Sequence, residues 1–158
     1  MNILFFLTPK KDVSFIYDDN TLRQALEKLE RSHLTAIPMI KRTGEYVGTL
    51  NEGDLLWYIK NHSDLTLSNA EDVPITAVPR RSDNEPVFAY NSIDDLYTKA
   101  LSQNFVPVVD GRGVFIGIVT RREIFKYLYK VCQTAEQPPE KRQQQQLQRM
   151  QLARTTTT

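Results

Sequence analysis

The chain repeats itself. The stretch GTLNEGDLLWYI, Gly48 to Ile59, returns 69 residues later as GIVTRREIFKYL, Gly117 to Leu128. Self-similarity at a fixed period restricts the architecture before any single motif does, because each copy forms one supersecondary unit that buries its apolar face against the other. The same register aligns Pro38 with Pro107, Asp54 with Glu123, and Tyr58 with Tyr127. Upstream, Leu22, Ala25 and Leu29 correspond to Ile93, Leu96 and Ala100 at an offset of 71, and a two-residue difference in one connection absorbs the drift.

Each copy reads as strand, helix, strand, strand, helix. In the first, VSFIY (Val13 to Tyr17) is β-rich, and TLRQALEKLERS places Leu22, Ala25, Leu26 and Leu29 on one helical face, with Asp18, Asp19 and Asn20 as start signals. TAIPMI and YVGTL flank KRTGE, whose Gly44 suits a hairpin turn, and EGDLLWYIKN resumes helical spacing. The second copy runs PVFAY, SIDDLYTKALSQ, FVPVVD, GVFIGIV and RREIFKYLYKV. The expected fold is therefore α/β, two βαββα units related by a pseudo-twofold axis and packed sheet to sheet. The expected boundaries are 1–62 for the first unit, 63–132 for a connector plus the second, and 133–158 for a polar tail. The connector, residues 61–85, is polar with Pro74 and Pro79, and predicts a linking segment with one short turn that forms part of a rim. The tail is Gln-rich, nearly free of large apolar residues, and predicts disorder or a frayed helix over 140–154.

Charge excludes some partners. With 25% charged residues, 41% hydrophobic residues and a formal charge of +1, the chain lacks the lopsided balance of a nucleic-acid or membrane-surface binder. Cys132 is the one cysteine, so no internal disulfide forms and no zinc spacing exists, which fits a reducing cytoplasm. The apolar run ILFFL, Ile3 to Leu7, is too short for a signal peptide, and nothing reaches the roughly 20 apolar residues of a membrane span.

The recurring order of xxxP inside an apolar strand, a turn, and then G-h-h-T-x-x-D opening a helix resembles the CBS domain, named from cystathionine β-synthase. Here it stands as TAIPMI…VGTLNEGDLL and NFVPVVD…IGIVTRREIF, and the resemblance covers about Leu7 to Leu128. It implies a tandem pair, often dimerised into a flat disc, with two related clefts between the repeats. In many members these clefts bind AMP, ADP, ATP, S-adenosylmethionine or cyclic di-AMP, and the module senses rather than catalyses.

The resemblance places one ligand cleft at Thr120, Arg121, Arg122 and Glu123. A helix start offers unpaired N–H groups at the positive end of its dipole, the arginines can neutralise phosphate, and an acid three residues after the threonine can accept from ribose hydroxyls. The family's residue at that last position is Asp, so Glu123 is one methylene longer. The facing wall, by resemblance, is Asp12, Val13 and Ser14 with Thr35, Ala36, Ile37 and Pro38, whose backbone reads the adenine edge while Val13 and Ile37 cover its faces. A second, weaker cleft pairs Asn51 and Asp54 with Asn104, Phe105, Val106 and Pro107; there Asn51 replaces the family's Thr or Ser and Glu52 replaces a cation. A ligand-free reading stands beside this one: Thr120 and Glu123 form a capping box, Asn51 and Asp54 serve the start of their own helix, and the arginines are solvated. Two cations in a first helical turn cost about 0.3–1 kcal/mol each, which an anion would offset. Arg80 and Arg81 in AVPRRSDNEP resemble a feature of stand-alone CBS proteins of Gram-positive bacteria, some of which bind cyclic di-AMP; the plain reading is a solvated loop.

His33 and His62 belong to no catalytic spacing, and there is no P-loop or dinucleotide fingerprint, so the reading is not an enzyme and no cofactor is required. The expectation is a cytoplasmic regulatory module with an adenine nucleotide as its regulatory ligand, a homodimer, signalling to an unidentified effector protein in trans. The alternatives are a ligand-free dimeric scaffold and, with Lys141, Arg142, Arg149 and Arg154 in the tail but no aromatic residue beyond Tyr129, an RNA-binding tail.

Overall fold

The helices begin where polar side chains can satisfy their first N–H groups. The structure, a computed structural model, describes residues 1–136. Helix α1, Leu22–Ser32, is closed by a reciprocal pair: Gln24 N donates to Thr21 Oγ1 at 3.2 Å and Thr21 N to Gln24 Oε1 at 2.9 Å. The cap is thus Thr21 rather than the preceding Asp18–Asn20, of which Asn20 instead accepts from Tyr17 N. Leu22, Ala25 and Leu29 form its buried face, and it ends at His33 in the left-handed conformation, φ 52°. Helix α2, Glu52–Asn61, begins with Asn51 N donating to Asp54 Oδ2 at 3.0 Å. Helix α3, Ile93–Ser102, repeats the α1 arrangement with Ser92 and Asp95, at 3.1 Å in each direction.

Among the described residues, seven strands make two sheets. They are β1 (Thr8–Pro9), β2 (Ile16–Tyr17), β3 (Ala36–Ile40), β4 (Tyr46–Asn51), β5 (Val87–Phe88), β6 (Phe105–Val109) and β7 (Phe115–Thr120). One sheet has the order β2-β3-β4 and the other β1-β7-β6-β5. In each, a short strand pairs in parallel with the proline-bearing strand, which pairs antiparallel with the strand after the turn; Pro38 faces Thr49 and Pro107 faces Ile118. The first strands are shorter than VSFIY and PVFAY suggest, because Val13, Ser14 and Phe15 lie outside β2, and Pro86, Ala89 and Tyr90 lie outside β5. Both turns contain a glycine at positive φ, Gly44 at 102° and Gly113 at 81°.

The pseudo-twofold runs between those turns. Tyr46 N donates to Gly113 O at 3.2 Å and, 69 residues on, Phe115 N donates to Gly44 O at 2.9 Å. The rings of Tyr46 and Phe115 stack across the axis with centroids 6.2 Å apart. The segment before each repeat crosses to the sheet of the other. Strand β1 pairs with β7, Thr8 opposite Ile118 and Pro9 opposite Gly117, so Lys10–Ser14 leads from the four-stranded sheet to β2 in the three-stranded one.

The first core joins Leu22, Ala25 and Leu29 of α1 to Ile37 and Met39 of β3, Leu50 of β4 and Leu55 of α2. Ala70, Ile75 and Val78 from the connector belong to the same cluster. The connector is therefore part of the core, with two 3₁₀ turns in place of the expected one, Asn69–Asp72 and Ile75–Ala77, and Ile75 is wholly buried. Two backbone bonds tie it to the start of α1, Leu22 N to Val73 O and Ile75 N to Asn20 O, both 2.8 Å. In the second repeat Val87, Leu96, Val106, Val108, Phe115 and Val119 are buried, as are Ile3 and Phe6 of an N-terminal 3₁₀ turn.

The chain divides into two units, Met1–Arg121 and 122–158. The second is described as far as 136 and consists of helix α4, Arg121–Glu136, after its first residue. The tail expectation over 140–154 lies outside the described residues. Among those described, no helix is long and apolar enough to cross a membrane, and no group of His, Cys, Asp or Glu could hold a metal ion.

Candidate functional site

The two expected clefts differ in what already fills them. Asp12, Val13 and Ser14 lie on the crossing from β1 to β2, while Thr35 leads into β3 and its carbonyl accepts from Glu52 N at 3.0 Å. Ala36, Ile37 and Pro38 are buried, and the side chain of Ile37 is packed in the first core beside Met39 and Leu50. Backbone groups are thus what this stretch can offer a ligand. Thr120 ends β7 opposite Phe105, and the next amide, Arg121 N, donates to Asn104 O at 3.4 Å.

Arg121 is committed elsewhere. Its Nε donates to Ala100 O at 2.8 Å and its Nη2 to Leu101 O at 3.2 Å. Those are carbonyls of the last turn of α3, which lack helical partners and carry the negative end of the dipole, so a guanidinium there is a C-terminal cap. Arg122 and Glu123 belong to the second unit, where Glu123 Oε1 accepts from Lys126 Nζ at 2.7 Å.

The second set of residues is bridged by the connector. Asp54 is 3% exposed, and both its carboxylate oxygens are used: Oδ2 accepts from Asn51 N at 3.0 Å and Oδ1 from Arg81 N at 3.1 Å. Asn84 spans the other way, its Nδ2 donating to Asn104 Oδ1 at 3.1 Å and Phe105 O at 2.9 Å while its N donates to Thr49 Oγ1 at 3.3 Å. Phe105, Val106 and Pro107 are buried in β6. Tyr46 completes the tie, its hydroxyl lying 2.7 Å from both Asn84 O and Thr49 Oγ1. Burial pushes the Tyr46 phenol well above its ordinary value, so it remains a neutral donor.

Arg80 is half-buried and tied down, whereas Arg81 remains exposed. Arg80 grips Asp83 with two bonds, Nε to Oδ1 at 2.7 Å and Nη2 to Oδ2 at 3.3 Å, and Asp83 Oδ1 also accepts from Thr49 N at 2.8 Å. Burial raises the Asp83 carboxyl, but the Arg80 guanidinium and the Thr49 amide outweigh it and hold the group below its ordinary value. Arg81 lies over the Trp57 ring, 5.0 Å from its centroid. His62 stacks on Tyr58 at 4.0 Å with Nδ1 2.7 Å from the Tyr58 carbonyl, a helix-end contact and no catalytic pair. What sequence reasoning missed is Asp83 and Asn84. Their signal was the spacing R-x-x-D-N directly before the second repeat, the counterpart of the segment before the first.

The outer face of the first repeat carries apolar side chains together with Glu30, His33 and Glu52. Leu26, Leu29, Leu55, Leu56 and Ile59 line a groove of about 760 Å³ between α1 and α2, with Leu56 59% exposed.

Comparison with known proteins gives a consistent frame. The family model described as "CBS domain" matches residues 6–61 and 76–130. No curated protein matches the chain. Among solved structures, a CBS domain protein from Streptococcus pneumoniae is 29% identical, with 81% of this chain and 86% of that one covered and a TM-score of 0.73. CbpB from Listeria monocytogenes in complex with c-di-AMP is 22% identical, covering 81% and 95%, with a TM-score of 0.71. CBSX2 in complex with AMP is 23% identical, covering 82% and 97%, with a TM-score of 0.66.

Proposed function

Because the chain belongs to the CBS-domain family, we propose that it is a regulatory module that binds an adenosine-containing ligand and passes the occupancy of that site to a partner protein. The observation that carries the reading is the repeated strand, turn and helix motif, on a fold shared with proteins solved in complex with c-di-AMP and with AMP. The family motif assigns the ligand's contacts by sequence position: Thr120 for a hydroxyl, Arg122 for phosphate and Glu123 for the ribose. The backbone of Asp12, Val13 and Ser14 and of Thr35 to Pro38 reads the base. Arg121 serves this site indirectly, by holding the end of α3. No cofactor is needed for binding.

Two copies associate through the α1–α2 groove, where exposed Leu56 and Ile59 supply apolar surface that a single chain leaves in water. Its setting is the cytoplasm, with the effector protein acting in trans. Calorimetric titration with AMP, ADP, ATP, S-adenosylmethionine and cyclic di-AMP tests the reading. Binding of one of them below millimolar supports it, and none binding rejects it in favour of a ligand-free scaffold. One observation favours that scaffold: Asp54, the acid that keeps the family's aspartate, is buried with both oxygens satisfied by the chain.

A further inference from the structure

The segment before the second repeat brings a charge to a sheet edge that has no strand on it. In the three-stranded sheet β4 is the outer strand, whereas its counterpart β7 is covered by β1. Where β1 lies along β7, the backbone of Thr8 and Pro9 runs past Ile118 and Gly117. At the equivalent place on β4, Thr49 and Gly48, no strand of the described residues lies; the Asp83 carboxylate takes the amide of Thr49 and the guanidinium of Arg80 closes over it. A backbone N–H on an open edge with a guanidinium beside it is an anion site. Gly48 makes the room, since a Cβ there would stand 2.6 Å from Asp83 Cγ and 2.8 Å from Arg80 Nε.

We propose that Asp83 is the resident anion of a carboxylate- or phosphate-binding site built by Thr49 N–H and Arg80, and that this internal ligand closes the second cleft. The neighbours of Asp83 complete the closure: Arg81 N occupies Asp54, and the Asn84 side chain occupies Asn104 and Phe105. Residues 81–84 thereby take one oxygen of Asp54, the side chain of Asn104 and the carbonyl of Phe105, and the other Asp54 oxygen is held by Asn51 N. The second cleft is self-filled, a difference that the two similar repeats conceal.

The self-filled site can be emptied and refilled. In the full chain, Asp83→Ala leaves Thr49 N–H and Arg80 without their acceptor, and the thermal midpoint falls by roughly 3–6 °C. Sodium formate, whose single carboxylate replaces the lost group, restores at least half of that fall in a saturable manner, while sodium chloride at equal ionic strength does not. Formate leaves the wild type and the Arg80→Met, Asp83→Ala double variant unshifted. Asp83→Asn, which fills the space without the charge, lowers the midpoint and is insensitive to formate. An unchanged midpoint in both single variants, or equal recovery with chloride or in the double variant, overturns the proposal. A second arm rests on the nucleotide reading above: AMP titrated into the wild type binds at one site per chain, and two equal sites overturn the closure. If AMP and the other adenosine ligands all fail to bind, the nucleotide reading falls and the formate arm alone decides.

Discussion

The carboxylate of Asp83 lies against the α-carbon of Gly48, and the equivalent Gly117 lies against the backbone of β1, with Pro9 Cα 3.1 Å from where a Cβ would stand. One glycine in each repeat is therefore required by the segment that crosses over from the other. The obstacles differ in how far they can move. Gly117→Ala forces main chain aside at Thr8 and is expected to cost about 3 kcal/mol, whereas Gly48→Ala displaces the ends of two side chains and costs about 1–2 kcal/mol. Urea midpoints of the two variants check the order, and equal losses would contradict the distinction.

Asp83 makes stability depend on acid. Its folded value lies below that of the unfolded chain, so its contribution is complete above about pH 4 and disappears as pH falls through the folded value. Unfolding curves of the wild type and Asp83→Asn, separated at pH 7, should converge below pH 4. A constant separation would mean that the charge of Asp83 plays no part.

Tyr46 acts at the other end of the scale. Burial keeps its phenol protonated in the folded state well past the ordinary tyrosine value, so stability is intact below about pH 10 and declines as pH rises through it, because the unfolded chain ionises first. Tyr46→Phe removes that alkaline loss, together with the bond to Asn84 O. Midpoints measured between pH 8 and pH 11 test the sign.

If the connector is core, its apolar residues must not be interchangeable. Ile75→Ala, at a wholly buried position in the same core cluster as Leu22 and Leu29, is expected to cost about 2–5 kcal/mol. Leu67→Ala, at a position 74% exposed in the same segment, should stay within about 0.5 kcal/mol. Chemical denaturation of the pair distinguishes a core segment from a surface crossing.

The adjacent arginines should separate binding from stability. Arg121→Ala uncaps Ala100 O and Leu101 O and is expected to lower stability by about 1 kcal/mol. Arg122→Ala should instead weaken phosphate-bearing ligands about tenfold and spare adenosine. Calorimetry and melting on both variants test this; equal losses for adenosine and AMP in Arg122→Ala would remove its phosphate role.

The sequence by itself determined the two repeats, their βαββα order, the helical faces of Leu22, Ala25 and Leu29, the glycine turn at Gly44 and the family. Each of these rests on periodicity, turn chemistry or motif spacing within a few residues, and such signals survive without knowledge of the partner surface. Only the tertiary structure decided that Ile75 is core, that β1 belongs to the sheet of the other repeat, that Arg121 caps α3, and that Asp83 holds the Thr49 amide while Asn84 joins Asn104 and Phe105. Those outcomes depend on partners far along the chain, such as Thr49 with Asp83 and Arg121 with Ala100. A polar residue reads the same in sequence whether water or a distant amide satisfies it, and folding alone determines which it meets.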